Sequence, residues 1–77
     1  MLLFHMRGNY FYERLGEKIL AHRKKRKLSQ EELGLLCDVD RTYIARIEEG
    51  KANPTIKVIA KISNSLKIKM SKLLKGV

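Results

Sequence analysis

Leu28-Ser29-Gln30-Glu31-Glu32-Leu33-Gly34-Leu35-Leu36-Cys37-Asp38-Val39-Asp40-Arg41-Thr42-Tyr43-Ile44-Ala45-Arg46-Ile47-Glu48-Glu49-Gly50 is the stretch that decides the fold. Ser29 with Glu32 three positions on is a capping box. The hydroxyl can accept the Glu32 N–H while the Glu32 carboxylate reaches back to the Ser29 N–H. A helix is therefore predicted from Gln30, with Leu33, Leu36 and Cys37 as its apolar face. Asp38-Val39-Asp40 breaks it. Asp40 then caps a second short helix, Arg41 to Glu49, whose inward residues are Ile44 and Ile47 with Tyr43 flanking. Gly50 is the residue type expected just past a helix C-terminus.

Upstream, Phe11, Leu15, Ile19 and His22 fall on one stripe and predict a helix from Tyr10. Arg14, Glu17, Lys18 and Lys24 take its wet side. The basic run from His22 to Lys27 complements the negative end of the helix macrodipole. Residues 1–9 carry no periodicity, and Gly8-Asn9 is a turn signal, so they are expected to form a flexible N-terminal arm. Downstream, Lys51-Ala52-Asn53-Pro54 reads as loop, because the residue before proline avoids the helical region. Thr55 caps a fourth helix with Ile56, Ile59, Ala60, Ile62 and Leu66 as apolar positions and Lys57 and Lys61 outside. A last short helix, about Met70 to Leu74, is expected to bury Leu73 and Leu74. No segment alternates like a half-buried strand. The expected architecture is all-α, a four- to five-helix bundle in a single domain over residues 10–77.

Charge narrows the function. The 77 residues carry 17 Lys+Arg against 8 Asp+Glu, a net charge of +9. The excess is concentrated at one end, since residues 50–77 hold seven lysines and no acid. Such a chain is drawn to polyanions, nucleic acid before anionic membrane. One cysteine excludes an internal disulfide framework and suits a reducing compartment. With only two histidines, His5 and His22, the usual zinc sites are excluded too, so no metal and no cofactor is expected. No nucleophile–base–orienter set is visible, and an enzyme is not expected. No apolar run reaches the ~18 residues of a membrane span, and Met1-Leu2-Leu3-Phe4 is too short for a signal sequence. The expectation is a cytoplasmic protein of a prokaryote or phage, associated with the nucleoid and not with membrane.

Two short helices joined by a three-residue turn have the dimensions of a helix-turn-helix unit, whose second helix lies in the DNA major groove. Leu33, Val39, Ile44 and Ile47 would lock the pair so that its outward side chains arrive together at base edges. Arg41 and Thr42 occupy the first turn of the second helix and point away from Ile44 and Ile47. Arginine can bond guanine O6 and N7 bidentately, and threonine can bond a base or meet a thymine methyl. Arg46, further along the same face, reaches a base or a phosphate. Tyr43 is either a partly buried core aromatic or a backbone or thymine contact. Gln30 opens the first helix of the motif, either against a phosphate or simply as a good residue after a cap. Lys51 and Asn53 lie in the loop where the phosphate backbone should pass. The run Lys24 to Lys27 reads as a solvated helix end that adds long-range attraction.

Leu28-Ser29-Gln30-Glu31-Glu32-Leu33, then Val39, Ile44 and Ile47-Glu48-Glu49-Gly50-Lys51, then Asn53-Pro54-Thr55 resembles the lambda repressor/Cro-type (XRE-like) helix-turn-helix family over about residues 15–74. Asp40-Arg41-Thr42-Tyr43-Ile44 followed by Ile47-Glu48 is similar to the recognition helix of restriction–modification controller proteins, small dimeric regulators. The resemblance implies a sequence-specific DNA-binding transcription regulator, and an ion pair between Arg23 and Glu48 across the first and third helices. An alternative is the antitoxin of a toxin–antitoxin pair, with a toxin protein as second partner. A further alternative, from charge alone, is a basic protein that binds polyanions without base preference. Four departures from the family pattern stand out. Gly34 replaces the usual alanine, which should loosen a helix-to-helix approach and cost up to ~1 kcal/mol of helix propensity. Asp38 replaces a turn glycine, which aspartate can survive in the left-handed region. Lys69 stands where a serine cap is usual, and Ala52 where controllers carry an arginine.

One such helix reads too few base pairs to pick a site from a genome. A homodimer on a palindromic operator is therefore expected. Leu66, Ile68, Leu73 and Leu74 supply more apolar material than a short core needs, which points to an interface through residues about 56–76.

Overall fold

In the computed structural model the Ser29–Glu32 pair forms as the sequence dictates. The Glu32 N–H donates to Ser29 Oγ at 3.0 Å, and the Ser29 N–H donates to Glu32 Oε1 at 2.8 Å. Five helices follow one another: α1 Leu2–Lys25, α2 Gln30–Cys37, α3 Arg41–Glu48, α4 Ile56–Ser65 and α5 Met70–Leu74. The structure describes the backbone of residues 2–77 and the side chains from Tyr10 onward. No strand occurs among the described residues. The all-α reading holds.

The helix begins earlier than the periodicity implies. Residues 2–9 continue α1 instead of leaving it at Gly8-Asn9. Extending an existing helix adds one hydrogen bond per residue fixed, so a turn-prone pair at the end of a long helix is a weak stop. What the side chains of the expected arm do lies outside the described residues.

Leu15 and Ile19 of α1, Leu33 and Cys37 of α2, Ile44 and Ile47 of α3, Ile59, Ile62 and Leu66 at α4, and Leu73 of α5 form one buried cluster. Several expected core positions fall outside it. Leu36 is 60% exposed and Ile56 66% exposed. At 100° per residue, Leu33 and Cys37 stand about 40° apart, while Leu36 lies about 60° to the other side of Leu33. Phe11, expected on the α1 stripe, stays 39% exposed and stacks edge-on against Tyr12 with ring centroids 5.1 Å apart. His22 is half-buried, and Cys37 is buried as a free thiol whose pKa burial raises.

Leu66 and Leu73, expected at a dimer surface, are both fully buried within the monomer. They close the bottom of the core, where α5 packs on α4 and α1. A short chain needs them there, because its core has few other residues to seal that end. Ile68 and Leu74 remain half-buried.

Gly34 does the opposite of loosening the helix pair. A Cβ on it would sit 2.5 Å from the Val39 carbonyl oxygen, so the turn packs directly on the α2 backbone. Gly16 plays the same part between α1 and α3, where a Cβ would meet the Ile47 and Glu48 carbonyl oxygens at 2.3 and 2.6 Å. These close approaches fix the angle at which α3 is held.

Candidate nucleic-acid interface

The turn that aims α3 is built from Asp38. It adopts φ 57°, ψ 48°, the left-handed conformation expected there, and its N–H donates to the Gly34 carbonyl. The Val39 N–H donates to the same carbonyl at 2.9 Å. Val39 then packs on the core. Asp40 caps α3, its Oδ1 accepting the Thr42 N–H at 3.1 Å and the Thr42 hydroxyl at 3.0 Å. These two bonds, the backbone one foremost, hold the Asp40 carboxyl below its usual pKa.

The cap defines what the first turn of α3 can offer. Arg41 and Thr42 are both exposed. Among the described residues Arg41 makes no side-chain hydrogen bond, so all five of its guanidinium donors face solvent. The Thr42 hydroxyl proton is spent on Asp40, which leaves the oxygen as acceptor and the methyl as an apolar contact. Tyr43 is half-buried and its ring packs against the core. Arg46 is exposed, with its Nη2 donating to the Lys51 carbonyl at 2.8 Å. That bond ties the end of α3 to the loop and turns the guanidinium toward the loop. Lys51 and Asn53 are exposed there, and Lys51 Nζ lies 3.7 Å from Glu49 Oε1 in a solvated pair worth little. Gly50, at φ 75°, makes the sharp exit, and a Cβ on it would strike the Glu13 backbone at 2.9 Å.

Behind α3 lies a buried polar cluster. Arg23 Nε donates to Glu48 Oε2 at 2.6 Å and Arg23 Nη2 to Glu48 Oε1 at 3.0 Å, a bidentate pair whose side chains are 10% and 4% exposed. Arg23 Nη1 also donates to the Leu28 carbonyl at 2.8 Å. The third member is Gln30, whose amide donates to Glu48 Oε1 at 3.0 Å. The expected ion pair is thus present, and Gln30 is turned inward onto it. One of its two side-chain N–H groups is engaged, so a phosphate beside it would meet the second, or the first-turn backbone N–H groups of α2.

Sequence reasoning missed three positioning arginines and lysines. Arg26 Nε donates to the Leu66 carbonyl at 2.9 Å, joining the ends of α1 and α4. Arg14 Nε donates to the Gly76 carbonyl at 2.9 Å, and Lys18 Nζ to the Lys75 carbonyl. The spacing 14, 18, 22, 26 along one helical row was the available signal.

The helix-turn-helix family model matches residues 19–73. The control protein C.MunI of a Mycoplasma species is 42% identical over 65 residues, covering 83% of this chain and 88% of that protein. Among solved structures, the restriction-modification controller protein C.AhdI from Aeromonas hydrophila matches with a TM-score of 0.79 and 31% identity, over 80% of this chain and 94% of that one. The P22 c2 repressor, solved with a synthetic operator, matches with a TM-score of 0.75 and 33% identity over 82% and 96%. Fold, turn and exposed α3 start define a DNA-binding regulator of the Cro/C1 type. The chain belongs to the helix-turn-helix family. Within it, its likeness runs to the controllers of restriction–modification systems. The family is regulatory, not enzymatic. Among the described residues no group of side chains could hold a metal ion, and no helix is long and apolar enough to cross a membrane.

Proposed function

We propose that this chain is a restriction–modification controller, a sequence-specific regulator that acts in the cytoplasm as a homodimer on a roughly palindromic operator. The observation that carries this reading is the exposed, hydrogen-bond-free Arg41 beside Thr42 at the start of an α3 held rigidly by Gly16, Gly34 and the Arg23–Glu48–Gln30 cluster. Arg41 and Thr42 read bases. Arg46, released from Lys51, and the hydroxyl of Tyr43 serve at the edge of the same surface. Lys51, Asn53 and the start of α2 at Gln30 meet phosphates. Likeness to controllers over most of both chains supports this assignment over an antitoxin with a toxin partner.

Two copies would set their α3 helices about 34 Å apart, one turn of DNA. The apolar side chains that residues 56–76 leave accessible include Ile56, Ile68 and Leu74, which supports a dimer contact through this segment. Selection of bound duplexes from a random pool, with sedimentation of the free protein, tests the reading. Dyad-symmetric sites with half-sites near 10 base pairs apart and a dimer at tens of micromolar are expected. Sites without symmetry bound by a monomer would refute the dimer. Binding without base preference would refute the regulator.

A further inference from the structure

The C-terminal ends of α1 and α4 meet α5 at a cleft of about 410 Å³ lined by His22, Lys25, Arg26, Lys67, Ile68 and Lys72. Four of these six side chains are permanent cations, and no acid lines the cleft. Its volume lies within the range of small-ligand sites, roughly 300–1,000 Å³. It is separate from the reading head, and of its lining only Ile68 is among the side chains named for the proposed dimer contact. α3 packs on α1 at Gly16. His22 lies six residues on, about 120° around the helix.

Cations gather at helix C-termini because unpaired carbonyls attract them. Here that demand is already met. The N–H groups of Arg26, Lys27 and Leu28 close the end of α1, and those of Leu66, Lys67 and Ile68 close α4. Arg26 spends its Nε on the Leu66 carbonyl, which fixes its guanidinium plane at the cleft wall. Lys67 stands at φ 59°, a left-handed position where glycine would be less strained. The groups facing His22 are Lys18 and Lys25 from its own helix, Arg26 just past its end, Lys72 from α5, and Lys67 from the loop between α4 and α5. Burial first, then the charges of Lys25, Lys72, Lys18 and Arg26, hold the imidazole below its usual pKa. The field in the cleft therefore stays positive after the helix ends have taken their share.

We propose that this cleft binds a free multivalent phosphate, of the size and charge of a di- or triphosphate, through Lys25, Arg26, Lys67 and Lys72 with the His22 imidazole as a further donor. Bound anion relieves the mutual repulsion of the cations and favours protonated His22. By reciprocity, protonation of His22 adds affinity as pH falls, opposing the loss of charge on the anion itself.

The test uses the full chain at fixed ionic strength, titrated with inorganic tripolyphosphate while the imidazole signals are followed by NMR. The His22 signal should shift and titrate at higher pH with the anion present. Lys67→Gln with Lys72→Gln should weaken binding about tenfold, equivalent to about 1.4 kcal/mol. Lys57→Gln, elsewhere on α4, should have under a fifth of that effect on the same free-energy scale. Melting curves establish that each variant is folded, and His22→Gln, which leaves all four cations, should remove the histidine part of the pH dependence and leave only that of the anion's own protonation. Equal loss in the two lysine variants would assign the attraction to overall charge and overturn the site. A random duplex that loses affinity in the double variant while tripolyphosphate leaves His22 unmoved would assign the cleft to DNA backbone, and overturn it as well.

Discussion

Replacing Glu48 by alanine strands the guanidinium of Arg23, which is 10% exposed and has only the Leu28 carbonyl as a remaining described partner. Three hydrogen bonds disappear together: two from Arg23 and one from Gln30. Breaking a buried pair from one side costs about 3–5 kcal/mol, because the surviving charge stays desolvated. A core of this size rarely supplies more than roughly 3–5 kcal/mol in all. At about 4–8 °C per kcal/mol, the melting temperature should fall by roughly 12–40 °C. Circular dichroism melts of Glu48→Ala, read beside operator affinity normalised to the folded fraction, separate stability from recognition. Arg23→Met combined with Glu48→Leu should recover much of the loss, since apolar replacement removes both desolvated charges. A single variant that melts within a few degrees of the parent yet binds operator poorly would refute the reasoning. Glu48 would then belong to the DNA surface.

Arg41→Ala should leave the melting temperature unchanged and cost about 1–3 kcal/mol on the operator, relaxing preference at one base position. Equal loss on operator and random duplex would make Arg41 a phosphate contact. Gly34→Ala gains about 1 kcal/mol of helix propensity but places a Cβ 2.5 Å from the Val39 carbonyl oxygen, a backbone atom that must move. Net destabilisation of about 1–2 kcal/mol is expected in urea melts, and a stabilised variant would refute the close approach. Cys37 is buried with its pKa raised by desolvation, so alkylation at pH 8 should be at least ~10-fold slower in the native protein than in urea. Equal rates would show that the α2–α4 side of the core is open.

The capping residues determined the elements. Ser29 with Glu32, Asp40 and Thr55 each satisfy orphan N–H groups locally, so their effect is written in three or four consecutive residues and needs no partner elsewhere. Asp38 in the turn and the outward start of α3 were legible for the same reason. Lys69 marks the limit, for α5 forms without any side-chain cap, held by Leu73 in the core. The Arg23–Glu48 pair came through family resemblance, since residues 25 positions apart have no local signature.

Tertiary structure decided the rest. Apolar identity alone could not distinguish Leu66 and Leu73, which seal the core, from Leu36 and Ile56, which face water. That depends on which side of each short helix its neighbours cover. Gln30 was readable as a residue of the α2 start, but only the approach of α3 shows its amide held by Glu48. Gly34 looks like a defect along the chain and becomes a contact when the turn folds back on it. Capping is a short-range hydrogen-bond property of adjacent residues. Burial, ion pairing and backbone approach are properties of surfaces that exist only after the helices have packed.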